Sequence, residues 1–219
     1  MQQVGKSAIL FGATGAVGKE VLQLLLQDHR YERILVFSRR VLPIEHPKLE
    51  VRLDTLTNLD KLAAEIQGND LFCCLGTTSR KAGSKEAFRQ VDLEMPAALA
   101  RIASNNGIDG FAVISSIGAG KPGRGFYLDV KTEMERRIQD FKFRNLIIVR
   151  PSLLLSKRDE FRFGEESGKV LDAVFGWAFT GRLKRYKGIA TTTVARAMIE
   201  LLNREPSRVI WESDALAEF

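Results

Sequence analysis

Hydrophobic positions along this chain form short, almost entirely apolar runs that alternate with longer amphipathic stretches. Short runs of this kind are typical of strands with both faces covered, and the amphipathic stretches repeat with the helical period. The predicted strands cover residues 7–11, 33–37, 49–53, 70–75, 110–115 and 145–149, and the predicted helices cover residues 16–27, 58–67, 86–106 and 127–141. This alternation predicts the α/β class, with a doubly wound parallel sheet and helices on both faces.

Residues 151–219 continue the alternation in a smaller region. Helical patterns occupy residues 167–178 and 191–203, and a short apolar run at residues 208–211 predicts a last strand. The region is too small for a second large domain, so we predict one domain over residues 1–219. We expect residues 151–219 to fold over the sheet edge and to form the substrate side of a cleft.

Composition is ordinary for a globular protein, with 219 residues of which 45% are hydrophobic and 27% charged. No apolar run is long enough for a membrane-spanning helix, and the N-terminus has no signal-peptide pattern. We therefore expect a cytoplasmic protein without a membrane span.

Cys73 and Cys74 are neighbours in a predicted strand and point to opposite faces, so we expect no disulfide between them. Without a Cys/His cluster, we expect no metal site.

The chain is basic, with a net charge of +6 and an isoelectric point of about 9.4. Positive charge makes nucleic acid one candidate partner. Acidic and basic residues are mixed along most of the chain, however, and it has no zinc-finger or basic-zipper pattern, so we expect no nucleic-acid partner. We interpret the dense basic stretch at residues 182–187 as a solvated loop. The sequence leaves the oligomeric state open.

The most specific motif is a G-x-x-G-x-x-G turn between the first predicted strand and the first predicted helix. Gly12 lets the chain turn with positive φ, Gly15 lets the backbone approach a pyrophosphate, and Gly18 allows close helix–strand packing. The alternative is a tight turn that binds nothing. The motif predicts a dinucleotide site at a helix N-terminus. Its candidate cofactor contacts are Gly12, Thr14, Gly15, Ala16, Val17 and Gly18.

The end of the second predicted strand indicates which dinucleotide binds. Folds of this type that select NAD place Asp or Glu here to hold the ribose 2′-hydroxyl. This chain has Ser38, Arg39 and Arg40 instead, and a hydroxyl with two guanidiniums suits a 2′-phosphate. We therefore predict NADP(H), with a surface arginine pair as the alternative. Asp54, after the third strand, is a candidate adenine contact or a helix cap.

Leu75, Gly76 and Thr77 lie at the end of the fourth predicted strand. A glycine beside hydroxyl residues at this point lets the backbone approach the middle of the cofactor. The position belongs to the crevice at the carboxyl ends of the strands, where open α/β sheets bind their ligands. We count these three residues as candidate cofactor contacts.

A candidate catalytic set follows the fifth predicted strand. That strand ends at Ser115 and Ser116, and Tyr127 and Lys131 lie one turn apart on the next helix, on one face. A phenol has an ordinary pKa of about 10, and a nearby ammonium lowers that pKa toward the range useful for proton transfer. Ser116 can hydrogen-bond a substrate carbonyl. The alternative is an aromatic core residue with a surface lysine.

Together these motifs resemble an atypical short-chain dehydrogenase/reductase, and more narrowly the subgroup of the Tat-interacting oxidoreductase and its small bacterial relatives. The resemblance covers most of the chain. Its marks are the segments 12–18, 74–78, 81–88, 115–116 and 150–154, with the pair Tyr127 and Lys131.

The resemblance implies a Rossmann-type fold that binds NADP(H). It also implies that Ser116 binds the carbonyl, that Tyr127 transfers the proton, and that Lys131 activates the phenol and binds the ribose. It places the segment from Arg150 to Pro151 near the nicotinamide. The candidate cofactor contacts in this half of the chain are Ser115, Tyr127, Lys131 and Pro151.

The combined prediction is an NADP(H)-dependent oxidoreductase that reduces a small carbonyl compound or oxidises its alcohol. Two alternatives stay open. One is a redox-sensing or regulatory protein that binds NADP(H) without turnover, because the short C-terminal region supplies little substrate-binding machinery. The resemblance also includes members that act mainly through protein partners. The other is a sugar-nucleotide epimerase or dehydratase, although such enzymes have a larger C-terminal region.

Overall fold

The computed structural model describes residues 5–155, 187–204 and 207–219. Its strands are β1 (Lys6–Phe11), β2 (Tyr31–Ser38), β3 (Leu49–Leu53), β4 (Asp70–Cys73), β5 (Gly110–Ile114), β6 (Asn145–Arg150), β7 (Leu154–Leu155), β8 (Ile189–Ala190) and β9 (Ile210–Glu212). Its helices are α1 (Ala16–Gln27), α2 (Ser79–Ala82), α3 (Lys85–Arg89), α4 (Met95–Asn105), α5 (Phe126–Gln139), α6 (Thr191–Leu202) and α7 (Ser213–Leu216).

Seven of the described strands form one sheet in the order β3-β2-β1-β4-β5-β6-β9, with every neighbouring pair parallel. Strand β1 lies between β2 and β4, so the winding direction of the chain reverses there. The carboxyl ends of β1 and β4 therefore border the crevice in which sheets of this type bind ligands. The predicted Rossmann-type sheet is confirmed.

Each face of the sheet carries its own hydrophobic core, because successive strand residues point in opposite directions. Ala8 and Leu10 belong to the core that α1 and α6 cover. Ile9 and Phe11 belong to the core on the other face, which α4 and α5 cover. All four of these strand residues are fully buried. The near-continuous apolar runs that predicted a doubly covered sheet thus have their physical explanation in this packing.

Two predicted helices differ from the structure. The helix predicted over residues 58–67 is wrong, because the structure has only a short 3₁₀ helix there, Leu59–Leu62. The predicted helix 86–106 is instead the succession of α3, a π turn at Gln90–Glu94, and α4. Pro96, at the start of α4, has no N–H, so it cannot make the α-helical hydrogen bond to the carbonyl of Asp92. The π turn lies directly before this proline.

The described part of residues 151–219 belongs mainly to the central layers, and the expectation that residues 151–219 form the substrate side of a cleft stays a prediction. Helix α6 packs against α1, and β9 pairs with β6 as the edge strand of the sheet. Strands β7 and β8 pair with each other beyond the carboxyl end of β6. They place part of this region at the carboxyl edge of the sheet, where ligands bind. The predicted helix at 167–178 and residues 182–186 of the basic stretch lie outside the described residues.

The two neighbouring cysteines are buried free thiols on opposite faces, as predicted. Cys73 lies in the core beneath α4 and α5, and Cys74 lies in the core beneath α1. In the described ranges, no helix has both the length and the apolar character needed to cross a membrane.

Candidate functional site

The glycine turn after β1 is held by steric constraints that only glycine satisfies. Gly12 has a φ of +86°, and a Cβ atom added there would lie 2.4 Å from the carbonyl oxygen of Cys74. A Cβ atom on Gly18 would lie 2.1 Å from the carbonyl oxygen of Gly12. The N–H of Gly15 donates to that same oxygen at 2.9 Å. The turn therefore presses α1 against the end of β1.

The start of α1 is open to solvent and available to an anion. Thr14, Gly15 and Ala16 are exposed, whereas Val17 and Gly18 are buried. Gly15 caps the helix without any side-chain hydrogen bond, and the first turn contains no acidic residue. Free N–H groups and the positive end of the helix dipole therefore face outward, as binding of a pyrophosphate requires. Val17 can contribute only through its backbone, because its side chain belongs to the core.

At the end of β2, Ser38 organises a turn that presents two arginines. Its buried hydroxyl donates to the carbonyl of Arg40 at 2.7 Å and accepts from the N–H of Arg40 at 3.2 Å. Arg39 and Arg40 are exposed, and neither forms an ion pair within the described residues. The Ser38 hydroxyl is thus used by the turn, and the two guanidiniums remain free for a ligand. Val41 and Leu53, which the sequence did not single out, add exposed apolar surface at this end of the sheet.

Asp54 caps a turn and not a helix. Its Oδ1 accepts from the N–H of Leu56 at 2.6 Å, and its own N–H donates to the carbonyl of Ser38 at 3.0 Å. Leu56 has a φ of +59°, a left-handed conformation that this hydrogen bond helps to hold. Asp54 therefore lies beside the Ser38 turn, where a candidate adenine contact has to be.

The loop after β4 reaches the same edge as the glycine turn. The carbonyl of Cys74 lies against Gly12, so the two loops are in direct contact. Leu75 and Thr77 are half-buried, and Gly76 is exposed. The N–H of Thr77 donates to Oδ2 of Asp92 at 2.8 Å, which fixes the loop on the π turn.

Asp92 is a residue of the site that the sequence reasoning missed. Its other carboxylate oxygen, Oδ1, lies 2.8 Å from Nζ of Lys131, and the two residues are only 1% and 3% exposed. Lys131 also donates to the carbonyl of Ile114 at 3.3 Å. The sequence contained one signal for Asp92, which is an acidic residue between the apolar residues Val91 and Leu93. That signal was weak, because a single acidic side chain on a helix is normally solvated. The ion pair joins the loop after β4 to the predicted catalytic helix.

Tyr127 and Lys131 lie at the start of α5 as predicted, but in different surroundings. Tyr127 is 39% exposed, and its ring lies 5.6 Å from the ring of Phe88, centroid to centroid. Ser116 is half-buried at the end of β5, where its hydroxyl makes one long contact of 3.4 Å with the carbonyl of Ile117. Among the described residues, no hydrogen bond joins Ser116 to Tyr127. The Tyr127 side chain is therefore partly exposed at this edge and makes ring contacts on one side.

Ser115 and Pro151 serve the framework beneath the site. The buried Ser115 hydroxyl donates to Glu135, and Arg150 forms a two-pronged ion pair with Glu135 at 2.9 and 2.5 Å. The hydrogen bond to Glu135 raises the pKa of Arg150 further, although its burial acts in the opposite direction. The carbonyl of Pro151 accepts from the N–H of Ile117 at 3.0 Å, next to Ser116.

Two surface cavities of the described residues lie away from this edge. One of about 280 Å³, bordered by Lys6 and Asp70, opens at the amino ends of the strands. The other, of about 460 Å³, lies between the end of α1 and α6. Neither contains a residue of the glycine turn or of the catalytic set, so neither belongs to the candidate site.

Comparison with known proteins agrees with this geometry. HTATIP2 from Rattus norvegicus is 34% identical over 201 residues, which cover 90% of this chain and 81% of that protein. A protein from Meyerozyma guilliermondii named "FMP52, mitochondrial" is 31% identical over 209 residues, covering 93% and 90%. The crystal structure of the oxidoreductase ylbE from Lactococcus lactis superposes with a TM-score of 0.70 at 18% identity, covering 97% and 94%.

These similarities confirm the resemblance stated from the motifs, and the fold agrees with it. The cytoplasmic location stays a prediction, because one of these relatives is named as mitochondrial. Residues 12–205 match the model of a protein family described as NAD(P)H-binding. The match begins at Gly12, the first residue of the glycine turn. The chain therefore belongs to the NAD(P)H-binding family.

Proposed function

We propose that this protein is an NADP(H)-dependent oxidoreductase that reduces a small carbonyl compound or oxidises the corresponding alcohol. The observation that carries the proposal is the placement of Tyr127. Its exposed phenol lies one helical turn before Lys131, whose buried ammonium is held by Asp92. This arrangement stands at the carboxyl edge of the sheet, beside an uncapped helix N-terminus that suits a dinucleotide.

The cofactor would lie across the carboxyl ends of the strands. Gly15, whose N–H is already used within the turn, would let the backbone approach the pyrophosphate, and the N–H groups of Ala16 and Val17 would bind it. Arg39 and Arg40 would bind the 2′-phosphate. Thr14 and the Leu75–Thr77 loop would line the middle of the site, and Asp54 would approach the adenine. The preference for NADP(H) rests on the two guanidiniums, which form no ion pair with any described residue, and on the absence of an acid at positions 38–40.

The side chains of α5 and β5 would carry the proton chemistry. Ser116 would donate a hydrogen bond to the carbonyl oxygen and polarise it. Tyr127 would give its phenolic proton to that oxygen as the alcohol forms, and Lys131 would stabilise the phenolate left behind. When bound, the cofactor supplies the hydride that adds to the carbonyl carbon. In the reverse direction, Tyr127 accepts the proton from the alcohol.

Cofactor titration and turnover test the proposal in two steps. Tryptophan or NADPH fluorescence would measure the affinities for NADPH and NADH, and we expect clear preference for NADPH. Turnover would then be followed over a panel of aldehydes and ketones through loss of NADPH absorbance. The Tyr127→Phe variant should lose activity by roughly 10²- to 10⁴-fold while NADPH affinity is retained. Binding of neither nucleotide, or a preference for NADH, would contradict the cofactor assignment.

A second candidate function is NADP(H) binding without turnover, in a regulatory or partner-binding protein. The observation that favours it is the open surrounding of Tyr127, whose phenol has no hydrogen-bond partner among the described residues. Tight NADPH binding together with no carbonyl reduction above the protein-free rate, in wild type and in Tyr127→Phe, would support this second function. A Tyr127-dependent rate on any carbonyl compound of the panel would exclude it.

A further inference from the structure

Five exposed cations lie on the two segments that follow β4 and β5 and that meet at Tyr127, and the proposed reaction assigns no role to them. We infer that they bind an oxyanion, a carboxylate or phosphate group, on the substrate of this site. The inference rests on the proposed function, because it concerns the substrate of the same reaction. We call these residues the basic rim: Arg80, Lys81, Lys85, Lys121 and Arg124.

The charge of these loops is one-sided. Residues 76–85, after β4, contain three of the cations, and residues 115–127, after β5, contain the other two. Neither range contains an acidic residue, although Glu86 directly follows the first range and lies beside Lys85. Elsewhere the chain mixes both signs, so the rim is a local excess of positive charge. Its position at the carboxyl ends of β4 and β5 is where a substrate would lie beside the nicotinamide.

Aromatic contacts bring the two loops together at Tyr127. Nζ of Lys85 lies 5.5 Å from the ring centroid of Phe126, the residue before Tyr127. The ring of Phe88, one turn after Lys85, contacts the rings of both Phe126 and Tyr127 at 5.5 and 5.6 Å. The rim residue on α3 therefore borders the same aromatic surface that carries the proposed catalytic phenol.

The cations of the rim are not committed to structural ion pairs. Deeper on the same helices, Arg89 and Arg137 both pair with Glu133, at 2.9 and 2.6 Å. Within the described residues, none of the five rim side chains pairs with an acid. The nearest acid after the second loop, Asp129, accepts from the N–H groups of Gly123 and Arg124 and holds the backbone of that loop.

The rim is also separate from the places proposed for the cofactor phosphates. The pyrophosphate would lie on the turn after β1, and the 2′-phosphate would lie at Arg39 and Arg40 after β2. The rim follows β4 and β5, on the other side of the reversal in winding. An anionic group on the substrate would be a third anion, distinct from both cofactor phosphates. Exposed cations of one sign also concentrate anionic ligands from solution, an effect that salt screens.

Isosteric pairs of ligands test the inference without requiring turnover. We would saturate the protein with NADPH and titrate it by calorimetry with para-(hydroxymethyl)benzoate and with its neutral amide. An aliphatic pair, γ-hydroxybutyrate and its amide, would be titrated in the same way. Each alcohol is already reduced, so no reaction occurs with NADPH. We expect the carboxylate of at least one pair to bind about tenfold more tightly at low ionic strength, and the difference to shrink with added salt.

Charge-reversal variants show whether the rim causes the difference. Lys85→Glu combined with Arg124→Glu should abolish the preference for the carboxylate, and Arg124→Lys should retain it. The matched control is Lys142→Glu, an exposed lysine at the amino end of β6, which should behave as wild type. Circular dichroism would verify that each variant is folded. NADPH affinity should be the same in all of them.

The outcomes separate this inference from the proposed function. No carboxylate preference in either pair, including no binding at all, overturns the inference. A fall in NADPH affinity as large as the fall in carboxylate affinity also overturns it, because the cations would then serve the cofactor. If the rim binds the carboxylates as expected but no aldehyde is reduced, including para-formylbenzoate, the anion site stands and the reductase proposal fails.

Discussion

The carboxylate of Asp92 lies 2.8 Å from the ammonium of Lys131, and both residues are almost completely buried. The same carboxylate accepts the N–H of Thr77, so one side chain connects the loop after β4 to helix α5. The π turn before α4 carries Asp92 at this point. Because the pair is shielded from water, removal of one partner should destabilise the protein far more than removal of one partner of a surface ion pair.

Removal of the Asp92 carboxylate should destabilise the protein strongly. Asp92→Ala leaves the Lys131 ammonium buried without its counter-charge, and we expect the free energy of unfolding to fall by about 3–5 kcal/mol in urea titrations. Asp140→Ala is the control, because Asp140 makes a 3.7 Å ion pair with Arg136 on the surface of α5. That change should cost about 0.5 kcal/mol or less.

A double variant identifies the cause of this loss. Asp92→Ala combined with Lys131→Met removes the buried charge as well as its partner, so part of the lost stability should return. The contrary result would be a double variant that loses as much free energy of unfolding as the two single variants lose together. In that case an uncompensated buried ammonium is not the cause of the instability of Asp92→Ala.

Substitution of Gly18 should damage the fold as well as the site. The added Cβ of Gly18→Ala would overlap the carbonyl oxygen of Gly12, which is backbone and cannot rotate away. We expect a loss of about 3 kcal/mol or more in thermal or urea unfolding, with a parallel loss of NADPH binding. Gly76→Ala is the matched control, since the nearest atom to its Cβ would be 3.6 Å away. Equal stability losses in the two variants would contradict the steric argument.

The two arginines after β2 should determine the choice of nucleotide. Replacing Arg39 and Arg40 by Ser removes the cations proposed for the 2′-phosphate. We expect NADPH affinity to fall by roughly tenfold to a hundredfold, with NADH affinity unchanged. Arg136→Ser, on an exposed face of α5, should alter neither affinity. An equal fall for NADPH and NADH would show that the arginines do not recognise the 2′-phosphate.

The neighbouring thiols should be inert in the folded protein. Burial raises the pKa of Cys73 to about 12 and raises the pKa of Cys74 in the same direction. Reaction with a thiol reagent at pH 8 should therefore be slow in buffer and fast for both cysteines in guanidinium chloride. Rapid modification of the native protein would contradict the burial of these side chains.

The same pKa shift makes a prediction about stability in alkali. Above the ordinary thiol pKa near 9.0, the unfolded chain loses the thiol protons while the folded protein keeps them. The unfolded state then binds fewer protons, so the free energy of unfolding should fall as the pH rises from about 9 toward 12. Cys73→Ala should reduce this slope, measured by urea titration at several pH values.

The sequence by itself determined the architecture and indicated the candidate site. Its apolar runs are buried on both faces of the sheet, so their pattern identified the parallel sheet without knowledge of long-range contacts. The roles of Gly12 and Gly18 could also be predicted, because a left-handed φ and a close helix–strand contact are local requirements. Tyr127 and Lys131 were found for the same reason, since the helical period places them on one face.

The tertiary structure alone decided which polar groups are engaged and which are free. Asp92 escaped the sequence analysis because its partner Lys131 is distant along the chain and meets it only through the packing of α5 against the π turn. The hydroxyl of Ser115 is occupied by Glu135 on α5, which no local pattern indicated. Hydrophobic periodicity reports burial along one element, whereas the pairing of buried polar groups depends on how separate elements meet.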